Sequence, residues 1–217
     1  GTRARHVGLA HTRWATHGAP TTSNCHPHTS DPDSQFVVVH NGIITNYRPL
    51  KEMLMTKGFH FDSDTDTEVI AKLLKYLYTT IRENQRPLTF PRLVMHLMHE
   101  IEGAYALLLR STAFPNELVA CKVGSPLVLG LKPSHRAEII VQKGTIRKSE
   151  VPSTSSPNTT SHSNAHSHFP KMEADPTEVQ YYLSSDASAI IEHTDKVVYF
   201  EDNDLVHVGA TGRLGNV

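Results

Sequence analysis

The sequence predicts an α+β fold in which many short strands are interleaved with a few amphipathic helices. Three observations carry this expectation. Eight short apolar runs recur, each bounded by polar turn residues. Three longer segments instead repeat apolar residues near the 3.6-residue helical period. Finally, 217 residues are enough for one substantial domain with a well-buried core, or for two small ones.

In chain order, "HVGLA" (6–10) and "FVVVHNG" (36–42) read as strands, being short and rich in branched residues. "NYRPLKEMLMTKG" reads as a helix, with Pro49 near its first turn and Gly58 as its stop. "DTDTEVIAKLLKYLYTTI" is a second helix, with Val69, Ile70, Leu73, Leu74 and Leu77 on one face. Thr65 followed by Glu68 predicts a capping box at its start. "FPRLVMHLMHEI" is a third helix. Strands are then expected at "AYALLLRS" (104–111), "ELVACKV" (117–123), "PLVLGL" (126–131), "VQYYLSS" (179–185), "KVVYF" (196–200) and "DLVHVG" (204–209). A short fourth helix is expected at "SDASAIIEHT". The segment from about 142 to 176 is rich in Ser, Thr, Pro, Asn and His, and it buries too little to fold alone. Strands resume after it, so it reads as a disordered insertion within one domain.

Composition narrows the function classes. The formal charge of -1 is not the basic footprint of a nucleic-acid binder, and the fifteen histidines are mostly neutral at pH 7. No run approaches the roughly 18 apolar residues of a membrane span. Two cysteines, Cys25 and Cys121, without metal-ligand spacing favour reduced thiols and a cytoplasmic setting.

Three features suit the handling of an amino acid. Arg13 carries the planar fork that matches a carboxylate. Asp66, in "SDTDTE", is a natural partner for an ammonium group. Asn41-Gly42, in "VVVHNGII", offers a side-chain amide beside a backbone N–H, the composition of an oxyanion hole. Taken singly, each has a plainer reading. Arg13 reads as a surface ion-pair residue, Asn41-Gly42 as a tight-turn signal, and Asp66 as helix N-terminal charge.

Taken together and in order, "HTRWATHG", "NCHPHTSD", "VVVHNGIITNY", "SDTDTEVIAKLL", "EGAYALLL", "GSPLVLGL" and "SSDASAIIEHT" change the reading. The set resembles the glutaminase domain of the isomerising glutamine–fructose-6-phosphate aminotransferase (glucosamine-6-phosphate synthase) family, in a eukaryotic, fungal-like version. The resemblance covers nearly the whole chain apart from the Ser/His-rich insertion. It implies an N-terminal-nucleophile hydrolase fold, a four-layer αββα sandwich of antiparallel sheets, as a partial type-2 amidotransferase domain over residues 1–217. It implies hydrolysis of glutamine to glutamate and ammonia, with no cofactor and no metal. By matched position, Arg13 would hold the glutamine carboxylate, with Thr16 and His17 lining the same pocket. Asp66 would take the ammonium, Asn41 and Gly42 would form the oxyanion hole, and Trp14 would gate an ammonia channel. The implied partners are glutamine and the sugar-isomerase domains of the full-length enzyme, which also provide a route to homo-oligomers; no nucleic acid or membrane is implied.

The family's nucleophile is an N-terminal cysteine whose own α-amino group serves as base. The sequence begins "GTRARHV" and has no cysteine in that role, so the expectation is an N-terminally truncated, inactive chain. The alternative is a catalytically inactive paralogue that binds glutamine or a partner chain. Cys25 is internal and lacks a free amine, and Cys121 reads as a small buried hydrophobe. The histidines of "HSNAHSH" (162–168) read as a solvated loop, and "HPH" (26–28) as pocket-side structure, with zinc the lesser reading for each. Ser and Thr residues at 153–163 are open to phosphorylation.

Overall fold

The computed structural model describes residues 6–13, 19–84, 87–133, 139–140, 171–172, 179–211 and 213–216. Eleven strands and three α-helices lie among them. The strands are β1 (His28–Thr29), β2 (Phe36–Ile44), β3 (Gly103–Ser111), β4 (Leu118–Val123), β5 (Val128–Pro133), β6 (Ile139–Ile140), β7 (Lys171–Met172), β8 (Val179–Ser184), β9 (Val197–Tyr199), β10 (Leu205–Val208) and β11 (Leu214–Asn216). The helices are α1 (Tyr47–Thr56), α2 (Asp66–Glu83) and α3 (Phe90–Glu100).

The main sheet has six strands in the order β1-β2-β3-β4-β10-β11, and a second sheet has three in the order β8-β5-β9. Every ladder within them is antiparallel. Alternation along the main-sheet strands sorts side chains to two faces. Leu107 and Leu109 of β3, Val119 and Cys121 of β4, and Leu205 of β10 join Val69, Leu73, Leu93 and Leu97 of the helices in one core. Ala106, Ala120 and Val206, on the opposite face, pack with Leu129 and Leu131 of the second sheet and with Leu127 and Phe200, which flank its strands. Helices, main sheet and second sheet are therefore successive layers. The outer face of the second sheet meets the chain after β8, where the buried Ile190 sits over Gly130.

The three long helices form where their periodicity places them. Gly58, at φ +86, ends the α1 segment in a conformation that glycine adopts freely. At α2 the cap is realised in half. Thr65 Oγ1 accepts from the Glu68 N–H at 3.4 Å, but the Glu68 carboxylate does not return to Thr65. It reaches further back, accepting from Asp62 N at 3.0 Å, Ser63 N at 2.7 Å and Ser63 Oγ at 2.6 Å, and pairs with Lys72 Nζ at 3.2 Å. The same glutamate thus pins the whole loop leading into α2.

Two expectations are corrected. Residues 6–10 form no strand: among the described residues no neighbouring strand supplies a ladder, and the Val7 carbonyl accepts from Arg110 Nη1 at 3.1 Å. The expected fourth helix is a single 3-10 turn, Ala187–Ala189, capped by Asp186 accepting from Ser188 N at 2.8 Å. Thr194 Oγ1, donating to the Leu131 carbonyl at 2.7 Å, draws the chain back to β5 before a helix could propagate. The expected insertion lies outside the described residues except for Lys171–Met172, which pairs with Ile139–Ile140. On either side of it, β5 and β8 are paired neighbours in one sheet.

Candidate functional site

A cavity of about 530 Å³ opens where the two sheets, the start of α2 and residues 10–13 meet. Arg13, Asn41, Gly42 and Asp66 all line it, although 53 positions separate the first from the last (66 − 13). Trp14, Thr16 and His17 lie outside the described residues.

Two elements place these groups. β2 carries Asn41 and Gly42 into the cavity wall, in register with Ala106 and Tyr105 of β3. Gly42 has φ +133, and a Cβ there would stand 2.0 Å from the Ala104 carbonyl oxygen and 2.7 Å from Ser125 Oγ. Only glycine lets the strands approach this closely while breaking the regular pleat. The first residue of α2 is Asp66, which is 5% exposed. Its Oδ2 accepts from the backbone N–H of Ile44 at 2.8 Å, tying the helix start to the end of β2. Its position in the first helical turn is favourable for negative charge.

Asn24 links the arginine side of the site to the aspartate side. Its Nδ2 donates to the Ala19 carbonyl at 2.9 Å, the same oxygen that receives Arg13 Nη1 at 3.2 Å. Its Oδ1 accepts from Asp64 N at 3.0 Å, two residues before Asp66. Asn24 is 1% exposed. Asn24→Ala is therefore expected to cost about 1 kcal/mol, because it removes the two part-buried hydrogen bonds that join the two sides. Chemical denaturation would check this, and a loss below about 0.5 kcal/mol would contradict the bridging role.

Four histidines back the cavity. His11 and His26 stack with ring centroids 4.3 Å apart, His28 meets His26 edge-on at 5.1 Å, and the rings of His26 and His40 are 6.4 Å apart. Burial, then the neighbouring His11, His28, His40 and Arg13, push the His26 imidazole down from 6.5 to about 3. His11 is lowered by burial and Arg13, and His28 chiefly by burial. His26 is therefore neutral at physiological pH. Among the described lining residues, Arg13 and Asp66 are the sole arginine, lysine, aspartate or glutamate side chains. The cavity presents one fixed positive group and one fixed negative group, with amide, hydroxyl and imidazole groups between them.

These histidines make the fold acid-sensitive. In the unfolded chain an imidazole takes up a proton near pH 6.5, whereas folded His26 resists protonation until about 3. Stability is then present above the unfolded value and falls with decreasing pH across that window, by at most about 1.4 kcal/mol per pH unit per group and less for half-exposed rings. Glu68 adds to the loss further down. Burial would raise its carboxyl, but hydrogen bonds from Ser63 and the backbone at Asp62 and Ser63, with Lys72, outweigh burial and hold it low. Thermal melts from about pH 7.5 to about pH 4.5 are expected to show a steady fall in Tm. A flat profile would contradict it.

Neither cysteine belongs to the cavity. Cys25 is exposed and its Sγ donates to the Thr21 carbonyl at 3.4 Å. Cys121 is fully buried in the helix-side core, where burial pushes its thiol up. The residues that the sequence did not single out are Asn24, Thr67, His40 and Ser125. The "HPH" motif was the available signal, since His26 Nε2 lies 3.2 Å from Thr67 Oγ1 and His28 Nε2 lies 2.9 Å from Thr65 Oγ1.

The antiparallel sheets, layered with the helices on one face and with the cavity at their junction, form an α+β sandwich. Two solved structures share this fold: a glutamine phosphoribosylpyrophosphate amidotransferase from B. subtilis (TM-score 0.56, 19% identity, covering 95% of this chain and 33% of that one) and an allosteric regulatory enzyme of purine biosynthesis (TM-score 0.58, 18% identity, covering 95% and 34%). Residues 11–121 match the glutamine amidotransferase domain family, and the chain belongs to that family. It is 39% identical to the isomerising glutamine–fructose-6-phosphate aminotransferase of Saccharomyces cerevisiae, over 94% of this chain and 33% of the relative. It is 45% identical to an Arabidopsis thaliana enzyme of the same name, over 94% and 27%. The human enzyme 2 of that name is 42% identical, over 96% and 30%. The chain thus spans about a third of the length of the curated relatives it matches. No helix among the described residues is long and apolar enough to cross a membrane.

Proposed function

We propose that this chain is the glutaminase part of an isomerising glutamine–fructose-6-phosphate aminotransferase, supplying ammonia from glutamine for glucosamine 6-phosphate synthesis. The single observation that carries the reading is the cavity with one arginine and one carboxylate on its wall, complementary to an amino-acid zwitterion. Arg13 takes the α-carboxylate through its planar donors, and Asp66 takes the α-ammonium. The amide carbon of the substrate side chain then lies toward Asn41 and Gly42, whose side-chain and backbone N–H groups receive the oxyanion. Attack by a thiolate on that carbon, collapse with loss of ammonia, and hydrolysis of the thioester yield glutamate.

In this reading the nucleophile is the family's N-terminal cysteine, and neither Cys25 nor Cys121 takes its place. Thr16 and His17 complete the pocket and Trp14 gates the ammonia path; these three roles rest on the family resemblance. The amination of fructose 6-phosphate belongs to the sugar-isomerase domains of the intact enzyme. Two unpaired thiols agree with a cytoplasmic setting.

Two measurements test the proposal. Calorimetry should show stoichiometric glutamine binding to the chain, and the chain preceded by a relative's cysteine-initiated segment should release glutamate. Binding without glutamate release from the extended protein would favour the inactive glutamine-binding paralogue. No binding in either form would end the glutamine reading.

A further inference from the structure

Three polar groups converge on the Thr67 hydroxyl beneath the cavity floor. His40 Nδ1 is 2.9 Å away, His26 Nε2 is 3.2 Å away, and Asp66 Oδ1 is 3.5 Å away. Thr67 is 1% exposed and His40 3% exposed, so water does not compete freely for these bonds. One hydroxyl carries one proton and accepts at two lone pairs, which makes the directions of the bonds a solvable problem.

The solution starts at His26. Its Nδ1 lies 3.3 Å from the backbone N–H of His40, which can only donate, so Nδ1 is the acceptor. A neutral imidazole then carries its proton on Nε2, and His26 donates to Thr67 Oγ1. The threonine proton is left to point at His40 Nδ1 or at Asp66 Oδ1. The carboxylate decides between them, because Asp66 Oδ1 is 3.9 Å from His40 Nδ1. A bare nitrogen lone pair facing a carboxylate oxygen at that distance is repelled, whereas an N–H is attracted. With His40 protonated on Nδ1, both rings donate to Thr67 and the hydroxyl donates to Asp66.

We propose that Thr67 is a positioning residue for Asp66: its hydroxyl collects the ring N–H groups of His26 and His40 and passes one directed hydrogen bond to Asp66 Oδ1. Together with the Ile44 N–H on Oδ2, this bond sets the rotation of the carboxylate that meets the substrate ammonium. The relay rests on the glutamine reading for its purpose, but its geometry exists without ligand. His40 must adopt the Nδ1–H tautomer, the less common form of a neutral imidazole.

The experiment has two parts. Long-range proton–nitrogen correlation spectra of the ligand-free chain, above pH 7, are expected to show His40 protonated on Nδ1 and His26 on Nε2. His40 protonated on Nε2 would overturn the relay, whether or not glutamine binds. In calorimetry, Thr67→Val is expected to weaken glutamine binding about tenfold, the scale of one charge-assisted hydrogen bond, with Thr67→Ser restoring it. Wild-type affinity in Thr67→Val would equally overturn the proposal. Should the valine variant fail to fold, the tautomers of the unaltered chain decide. If the unaltered chain binds no glutamine, the functional reading fails while the tautomer pattern still judges the relay.

Discussion

Gly42→Ala is expected to abolish the candidate site and to destabilise the protein by about 3 kcal/mol or more. Two separate penalties coincide at this position. The φ of +133 lies where an alanine side chain is strained, and the new methyl would stand 2.0 Å from the Ala104 carbonyl oxygen. That oxygen is backbone of the paired strand, so relief requires β2 and β3 to part. These two strands share a nine-residue register through the centre of the main sheet, and their separation would disrupt both cores. Gly58→Ala is the control. Its φ is also positive, +86, but nothing lies within 4 Å of the added methyl, so its cost should stay near 1 kcal/mol. Denaturant unfolding of the two variants separates steric clash from backbone strain. Equal losses would show that the close approach at Gly42 is not the cause.

Asp66→Asn is expected to weaken glutamine binding about 10- to 100-fold, the order of a charge-assisted contact with an ammonium group. Its stability should fall only modestly, because the amide oxygen can still accept from the Ile44 N–H that Asp66 Oδ2 now receives at 2.8 Å, although the NH2 group in place of Oδ1 no longer accepts from Thr67. Asp66→Ala should lose the same affinity and also leave that buried N–H without an acceptor, costing about a further 1–3 kcal/mol. Calorimetry and thermal melts on both variants distinguish the two effects. An asparagine variant that binds glutamine as tightly as the unaltered chain would remove Asp66 from the ammonium role.

Much of the architecture was legible because it depends on neighbours in the chain. The apolar face of α2 follows from Val69, Ile70, Leu73 and Leu74, all buried, and Thr65 marks its start. The long strands were equally readable from their branched apolar runs. β1 and β11 were not, because two or three residues carry no periodic signal. The run at 6–10 shows the converse: apolar composition marks a candidate strand, but a strand exists only where another lies beside it. The capping box was realised only in half. Thr65 and Glu68 have the right spacing, yet Ser63 and Lys72 offer the glutamate better partners.

The same division runs through the candidate site. The motifs alone named Arg13, Asn41, Gly42 and Asp66, because an arginine fork, an Asn-Gly pair and a carboxylate are recognisable as chemical groups wherever they stand. Their convergence on one cavity was decided by the register of β2 on β3 and by the bond from Ile44 to Asp66. Asn24, Thr67 and His40 have ordinary local sequences, and their importance appears only in partners 27 to 41 positions away. Sequence by itself therefore determined the local conformations and the inventory of reactive groups, since both depend on nearby residues. The tertiary structure alone decided which groups face one another, because that follows from distances that only folding sets.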